Sequence, residues 1–186
     1  MTLYSDLADI ELWNCFLSGD KKAMEYIYSL YYKPLLAYGM KLLPDYELVR
    51  DCVQDMFVKL YITRKNLSST PHINSYLIRA LRNRLYDEMS VHVDKMTIDD
   101  LPFDFAVEDF FLTHFQESDD DLLQRKKLQI AIEKLSARQR EIVYLRFIRE
   151  LDYNEIGDFL GINYQSAKNL VSRTLVKLRQ YYMEGN

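Results

Sequence analysis

Between Asp158 and Glu184 the chain has no acidic residue, and the polar side chains there share one side of a helical register. Tyr164, Gln165, Ser166, Lys168, Asn169, Ser172, Arg173 and Lys177 fall on that side, opposite an apolar row of Ala167, Leu170, Val171, Leu175 and Leu178. Amides and guanidinium groups of this kind contact base edges in the DNA major groove, and lysines meet phosphates. The alternative is an amphipathic helix with a solvated basic face. The preceding residues favour the first reading. Asp152 and Glu155 are spaced as a capping box, Ile156, Phe159 and Leu160 supply a buried face, and Gly161 offers the positive φ that ends a helix. Ile162 is placed to plug the angle, and Asn163 begins the next helix. Residues 152–179 therefore predict a helix-turn-helix.

Two further groups lie in the first half. In ELVRDCVQDMFVKLYITR, Leu48, Cys52, Val53, Met56, Phe57, Leu60 and Tyr61 make a buried stripe, leaving Arg50, Asp51, Gln54, Asp55 and Lys59 outside. Taken alone, that outer set is a solvated face. The polar loop NLSSTPHINS then leads into YLIRALRNRLYDEM, with Tyr76, Leu77, Ala80, Leu81 and Leu85 inward and Arg79, Arg82, Asn83 and Arg84 outward. An aromatic ring and arginines beside a loop suit single-stranded nucleic acid, where bases stack on rings and phosphates meet cations.

The elements that must position these groups are helical. The chain has 186 residues, with four prolines, five glycines and no alternating strand pattern bounded by turn residues, which predicts an all-α protein of two small helical domains. An apolar stripe of Leu7, Ile10, Trp13, Phe16 and Leu17 opens the first domain, and Ser18-Gly19-Asp20 breaks it. A helix over about 21–32 follows. Pro34 predicts a new turn before Leu35–Leu43, and Pro44-Asp45 starts the next helix. Residues 1–90 form this domain and 91–121 a linker. A helix from about Leu122 and a capping box of Ser136 and Gln139 lead into the helix-turn-helix, so that 122–186 form the second domain.

The formal charge of −4 sits awkwardly with DNA binding, but its distribution does not. Asp94 to Asp121 contain ten acidic residues and one lysine, a local −9 that leaves +5 for the rest. Phe103, Phe105, Phe110, Phe111 and Phe115 within that stretch are too many for a purely disordered tether, and part of it is expected to dock on a domain. Cys15 and Cys52 in helical patterns point to a reduced compartment, and no signal peptide or membrane-length apolar run is present, so a soluble cytoplasmic protein without direct membrane insertion is expected. His72, His92 and His114 stand far apart, with no Cys-x-x-Cys and no glycine-rich phosphate loop. The sequence offers no catalytic residue, metal site or cofactor site.

Two passages together resemble the extracytoplasmic-function sigma factors, small two-domain promoter-specificity subunits of bacterial RNA polymerase. LSARQREIVYLRFIRELDYNEIGDFLGINYQSAKNLVSRTLVKLR looks like their region 4, and residues from about Gly19 to Met89, including RDCVQDMFVKLY and YLIRALRNRLYD, are similar to region 2. The order of the two, with a linker between, sets the resemblance apart from an isolated region 4. It implies that Asp51, Gln54, Asp55 and Lys59 bind the β′ clamp of the core enzyme, that region 4 meets the β flap, and that the −10 element is opened and read by the loop at Ser68–Asn74 with Asn74, Tyr76, Arg79, Arg82 and Asn83. It further implies −35 recognition by the polar face of the last helix, and an anti-sigma factor as a partner. Three positions depart from the family pattern. Glu88 and Met89 stand where a basic pair is common, and Gly157 stands where alanine is common. The competing function is a helix-turn-helix regulator that binds operator DNA on its own.

Overall fold

The computed structural model describes residues 4–91, 97–105 and 119–184, and every regular element among them is helical. The chain divides into two compact units, Met1–Met96 and Thr97–Asn186. Of the aromatic and histidine residues singled out in the sequence, Phe110, Phe111, Phe115, His92 and His114 lie outside the described residues.

The first unit comprises α1 (Asp9–Leu17), α2 (Lys21–Leu42), α3 (Tyr46–Thr63), a 3-10 turn (Arg64–Asn66) and α4 (Ile73–Ser90). Asp20 and Asp45 cap α2 and α3, Asp20 accepting from the backbone N–H of Lys22 and Ala23, and Asp45 from that of Leu48. The Tyr4 hydroxyl donates to Asp20 at 2.6 Å, tying the start of the chain to that cap. The turn expected at Pro34 does not form, and α2 runs through it. Proline removes one helical hydrogen bond and costs about 3 kcal/mol in a helix interior. Ile27, Leu35, Tyr38 and Leu42, all buried on both sides of that point, outweigh it. Close approach of α2 to α3 requires Gly39, since a Cβ there would stand 2.4 Å from Cγ1 of Val49. On α3 it is Val49 rather than Leu48 that completes the buried row with Cys52, Val53, Met56, Phe57 and Leu60, and Tyr61 is half-buried. On α1, Leu12 joins Trp13 and Phe16 inside while Ile10 is exposed.

The second unit opens with a 3-10 turn (Ile98–Asp100) and an extended strap to Phe105, followed by α5 (Asp119–Glu133), α6 (Ala137–Phe147), α7 (Tyr153–Leu160) and α8 (Tyr164–Glu184). The strap supplies the expected docking of linker residues. Leu101, Phe103 and Phe105 are buried, and both phenylalanines meet the Tyr144 ring edge-on at 5.4 and 5.6 Å. The Arg140 Nε–H donates to the Phe103 carbonyl at 2.9 Å, and Arg138 pairs with Asp99. Ser136 and Gln139 form the predicted capping box at α6. Phe147, in contrast, is exposed rather than inward, while Tyr144 lies buried against the strap.

Candidate nucleic-acid interface

The helix-turn-helix is α7 and α8. Asp152 accepts from the backbone N–H of Asn154 and Glu155, and the Glu155 carboxylate accepts from the Asp152 N–H at 2.9 Å. Gly161 ends α7 with φ +69°, in the left-handed region, as its position implies. The carbonyl of Gly157 accepts from the N–H of both Gly161 and Ile162. A Cβ on Gly157 would lie 2.7 Å from the Ile162 carbonyl oxygen, which explains why the residue is glycine here. The Asn163 side chain caps α8 by accepting from the Ser166 N–H at 2.8 Å. Ala167, Val171 and Thr174 are then turned to the core, while Leu170, Leu175 and Leu178 are half-buried.

All eight polar residues predicted for the outer face of α8, Tyr164, Gln165, Ser166, Lys168, Asn169, Ser172, Arg173 and Lys177, are exposed. They are partly ordered among themselves. Gln165 Nε2 donates to Asn169 Oδ1 at 3.0 Å, and Arg173 Nε donates to the Asn169 carbonyl at 3.3 Å. Tyr164 packs edge-on to Tyr153, whose ring also lies under the Arg146 guanidinium at 5.3 Å.

In the first unit Asp51, Gln54, Asp55 and Lys59 are exposed along α3. Asp51 accepts from Arg50, and Asp55 faces Arg84 of α4 at 3.4 Å. The same guanidinium meets Glu88 at 2.7 Å, so the departure at position 88 gives Arg84 an intrahelical partner in place of a second cation. Arg79 and Asn83 are exposed, and Asn74 and Tyr76 are half-buried. Arg82, expected to face outward, is only 6% exposed. Position 82 follows Ile78 by four residues and precedes Leu85 by three, which puts it in the buried row of α4.

One groove of about 420 Å³ unites residues that the sequence assigned to separate functions: Asp55 and Lys59 from α3, and Tyr76, Asn83 and Arg84 from α4, with Leu67 also in its lining. Burial pushes the Tyr76 phenol above its ordinary value. Its ring packs against Trp13 at a tilt, with centroids 5.0 Å apart. Sequence reasoning missed Trp13 as a neighbour of this site, because the contact joins residues 63 positions apart, and no local pattern signals it.

Both cysteines are free thiols, and burial pushes the Cys52 thiol up, as expected of a core residue. Among the described residues no group of three or more His, Cys, Asp or Glu could hold a metal ion, and no helix is long and apolar enough to cross a membrane.

Comparison with known proteins agrees with this geometry. Residues 27–92 match the model of sigma-70 region 2 and residues 131–180 that of sigma-70 region 4, together well over half of the chain. RNA polymerase sigma factor SigZ of Bacillus subtilis (strain 168) is 28% identical over 166 residues, covering 87% of this chain and 88% of that protein. ECF RNA polymerase sigma factor SigM of the same organism is 24% identical over 162 residues, covering 86% and 94%. Among solved structures, CnrH in complex with the cytosolic domain of CnrY superposes with a TM-score of 0.58 at 19% identity, covering 94% of this chain and 96% of that one. The sigma factor RpoE in complex with the anti-sigma factor NepR from Bartonella quintana gives 0.56 at 21%, covering 86% and 96%. A lone helix-turn-helix regulator would not carry region 2. The chain belongs to the extracytoplasmic-function branch of the sigma-70 family and is a non-catalytic promoter-specificity subunit of bacterial RNA polymerase.

Proposed function

We propose that this subunit divides its work among three surfaces. The outer face of α8, from Tyr164 to Lys177, reads the −35 element as duplex. The loop at Ser68–Asn74 with Tyr76, Arg79 and Asn83 of α4 engages the −10 element as single strand, and Asp51, Gln54, Asp55 and Lys59 of α3 contact the β′ clamp. The observation that carries the first assignment is the complete exposure of an acid-free polar face on the second helix of a capped helix-turn-helix. For the second, the groove lined by Tyr76 and Asn83 has the ring and the amide that an unstacked base requires. Arg82 supports α4 from within and does not touch DNA.

The domains carrying these surfaces are residues 1–90 and 122–186, and the acidic linker between them docks on the second unit through residues 101–105. The apolar side of the second unit, where Phe147, Leu175 and Leu178 border an open groove, is the surface offered to the β flap. An anti-sigma factor is a further partner, supported by the solved neighbour RpoE, whose structure is a complex with the anti-sigma factor NepR. The site of action is the cytoplasm, where core polymerase and promoters are found.

In vitro transcription with core enzyme and mapping of the start sites tests the assignment. The net −4 charge, with ten carboxylates in the linker, leads us to expect weak duplex binding by the free protein and tight binding once core enzyme is added. Sequence-specific binding without core polymerase would point to an operator-binding regulator. Asp55→Lys should weaken association with core enzyme while leaving thermal unfolding almost unchanged, since exposed substitutions usually cost within about 0.5 kcal/mol. Unaltered affinity would remove α3 from the contact.

A further inference from the structure

We propose that α1 is a positioning element for −10 recognition, setting the loop at 67–73 and the Tyr76 ring from behind without itself touching DNA. The proposal rests on the reading that this loop and α4 engage the −10 strand.

Three hydrogen bonds join α1 to that loop. Trp13 Nε1–H donates to the Ser68 carbonyl at 3.0 Å, the Ser69 hydroxyl donates to Asn14 Oδ1 at 2.7 Å, and the Ile73 backbone N–H donates to Asp9 Oδ2 at 3.1 Å. The last fills a gap at the start of α4. His72, the residue before that helix, makes no side-chain cap bond, so a carboxylate from a distant helix satisfies one of the unpaired N–H groups of the first turn. Within the loop the His72 N–H donates to Thr70 Oγ1 at 3.2 Å, and the Leu67 N–H donates to the Arg64 carbonyl at 3.2 Å.

Trp13 has a second role. It is 1% exposed, and its ring packs against Tyr76, so one side chain contacts both the loop carbonyl and the aromatic ring in the groove lining. A base stacking on Tyr76 would therefore meet a ring that cannot retreat, beside a loop held in register with Asn83. The exposed carboxylates and amide of α3 stand outside this set of bonds, so the effect should be confined to DNA.

The test uses the full chain bound to core polymerase, with a fluorescent single-stranded oligonucleotide carrying the −10 sequence found by start-site mapping. Asp9→Ala with Asn14→Ala removes two of the bonds at polar positions, and Trp13→Phe keeps a ring against Tyr76 while removing the donor. We expect each lost bond to reduce oligonucleotide affinity by roughly three- to tenfold. Discrimination between the −10 sequence and its single-base variants should flatten, with core affinity and helical circular dichroism unchanged. Folded variants that bind and discriminate as the parent does would overturn the role of α1, provided that Asn83→Ala loses affinity in the same assay. If Asn83→Ala and Arg79→Ala are also without effect, the −10 reading itself fails and this proposal with it. A parallel loss of core affinity in the α1 variants would make α1 a general support of the unit, and would equally overturn the positioning role.

Discussion

Substituting Gly157 by alanine sets two effects of similar size against each other. Within an exposed helix interior alanine is favoured over glycine by about 1 kcal/mol. At this position, however, the new methyl would lie 2.7 Å from the Ile162 carbonyl oxygen, well inside van der Waals contact. That oxygen belongs to backbone, and the segment bearing it is held by the Ile162 N–H to Gly157 carbonyl bond at 2.9 Å. Relief thus requires the turn between α7 and α8 to shift. Forced insertion of a methyl into close packing costs typically about 1–3 kcal/mol. Set against the gain in propensity, the net is a loss of about 1 kcal/mol, or roughly 4–8 °C in the melting temperature of a domain this small. The shift would also tilt the N-terminal turns of α8, so −35 duplex binding by the holoenzyme should fall with it. Circular dichroism melting and fluorescence anisotropy on a −35 duplex measure the two consequences. A variant that melts higher than the parent and binds the duplex equally well would refute the view that close approach to the Ile162 carbonyl keeps this position glycine.

Lys168→Ala should weaken −35 binding alike on all promoters and reduce the salt slope by about one unit, whereas Arg173→Ala should cost roughly 1–3 kcal/mol and relax preference at one base position. Equal effects on every sequence for both would show the reading face to be misplaced. Glu150 holds φ +56°, a conformation that costs an L-residue roughly 1–2 kcal/mol, and Glu150→Gly, after the entropy lost by glycine, should stabilise by roughly 0.5–1 kcal/mol in urea unfolding. The Tyr4 phenol is held up to about 12, first by its hydrogen bond to Asp20 and then by burial. Because this folded value lies above the unfolded value near about 10, its contribution is complete below pH 10 and is lost as pH rises toward 12. The stability difference between the parent and Tyr4→Phe should accordingly stay level near neutrality and shrink across that window, and a difference that stays level throughout would contradict the link.

Much of this protein is written in chemistry that acts over three or four residues. The caps at Asp45, Ser136 and Asp152, the left-handed Gly161 and the polar face of α8 were legible because a side chain and the backbone it serves lie within one turn of each other. The same locality made the helix-turn-helix recognisable as a unit. Tertiary structure decided the rest, where the partner is far along the chain. Propensity breaks α2 at Pro34, and only the packing of Leu35, Tyr38 and Leu42 into the bundle carries it through. Composition leads one to expect that part of the acidic stretch docks, but only the fold shows that Tyr144 and Arg140 receive Phe103. Arg82 counts as an outward cation until the buried row of α4 is located, and Asp55 and Tyr76 belong to different functions until α3 and α4 close one groove around them. The bonds from α1 to residues 68 and 73 join positions 55 and 64 apart. Hydrophobic burial has no direction along the sequence, so which distant residues it brings together is settled only when the whole bundle packs.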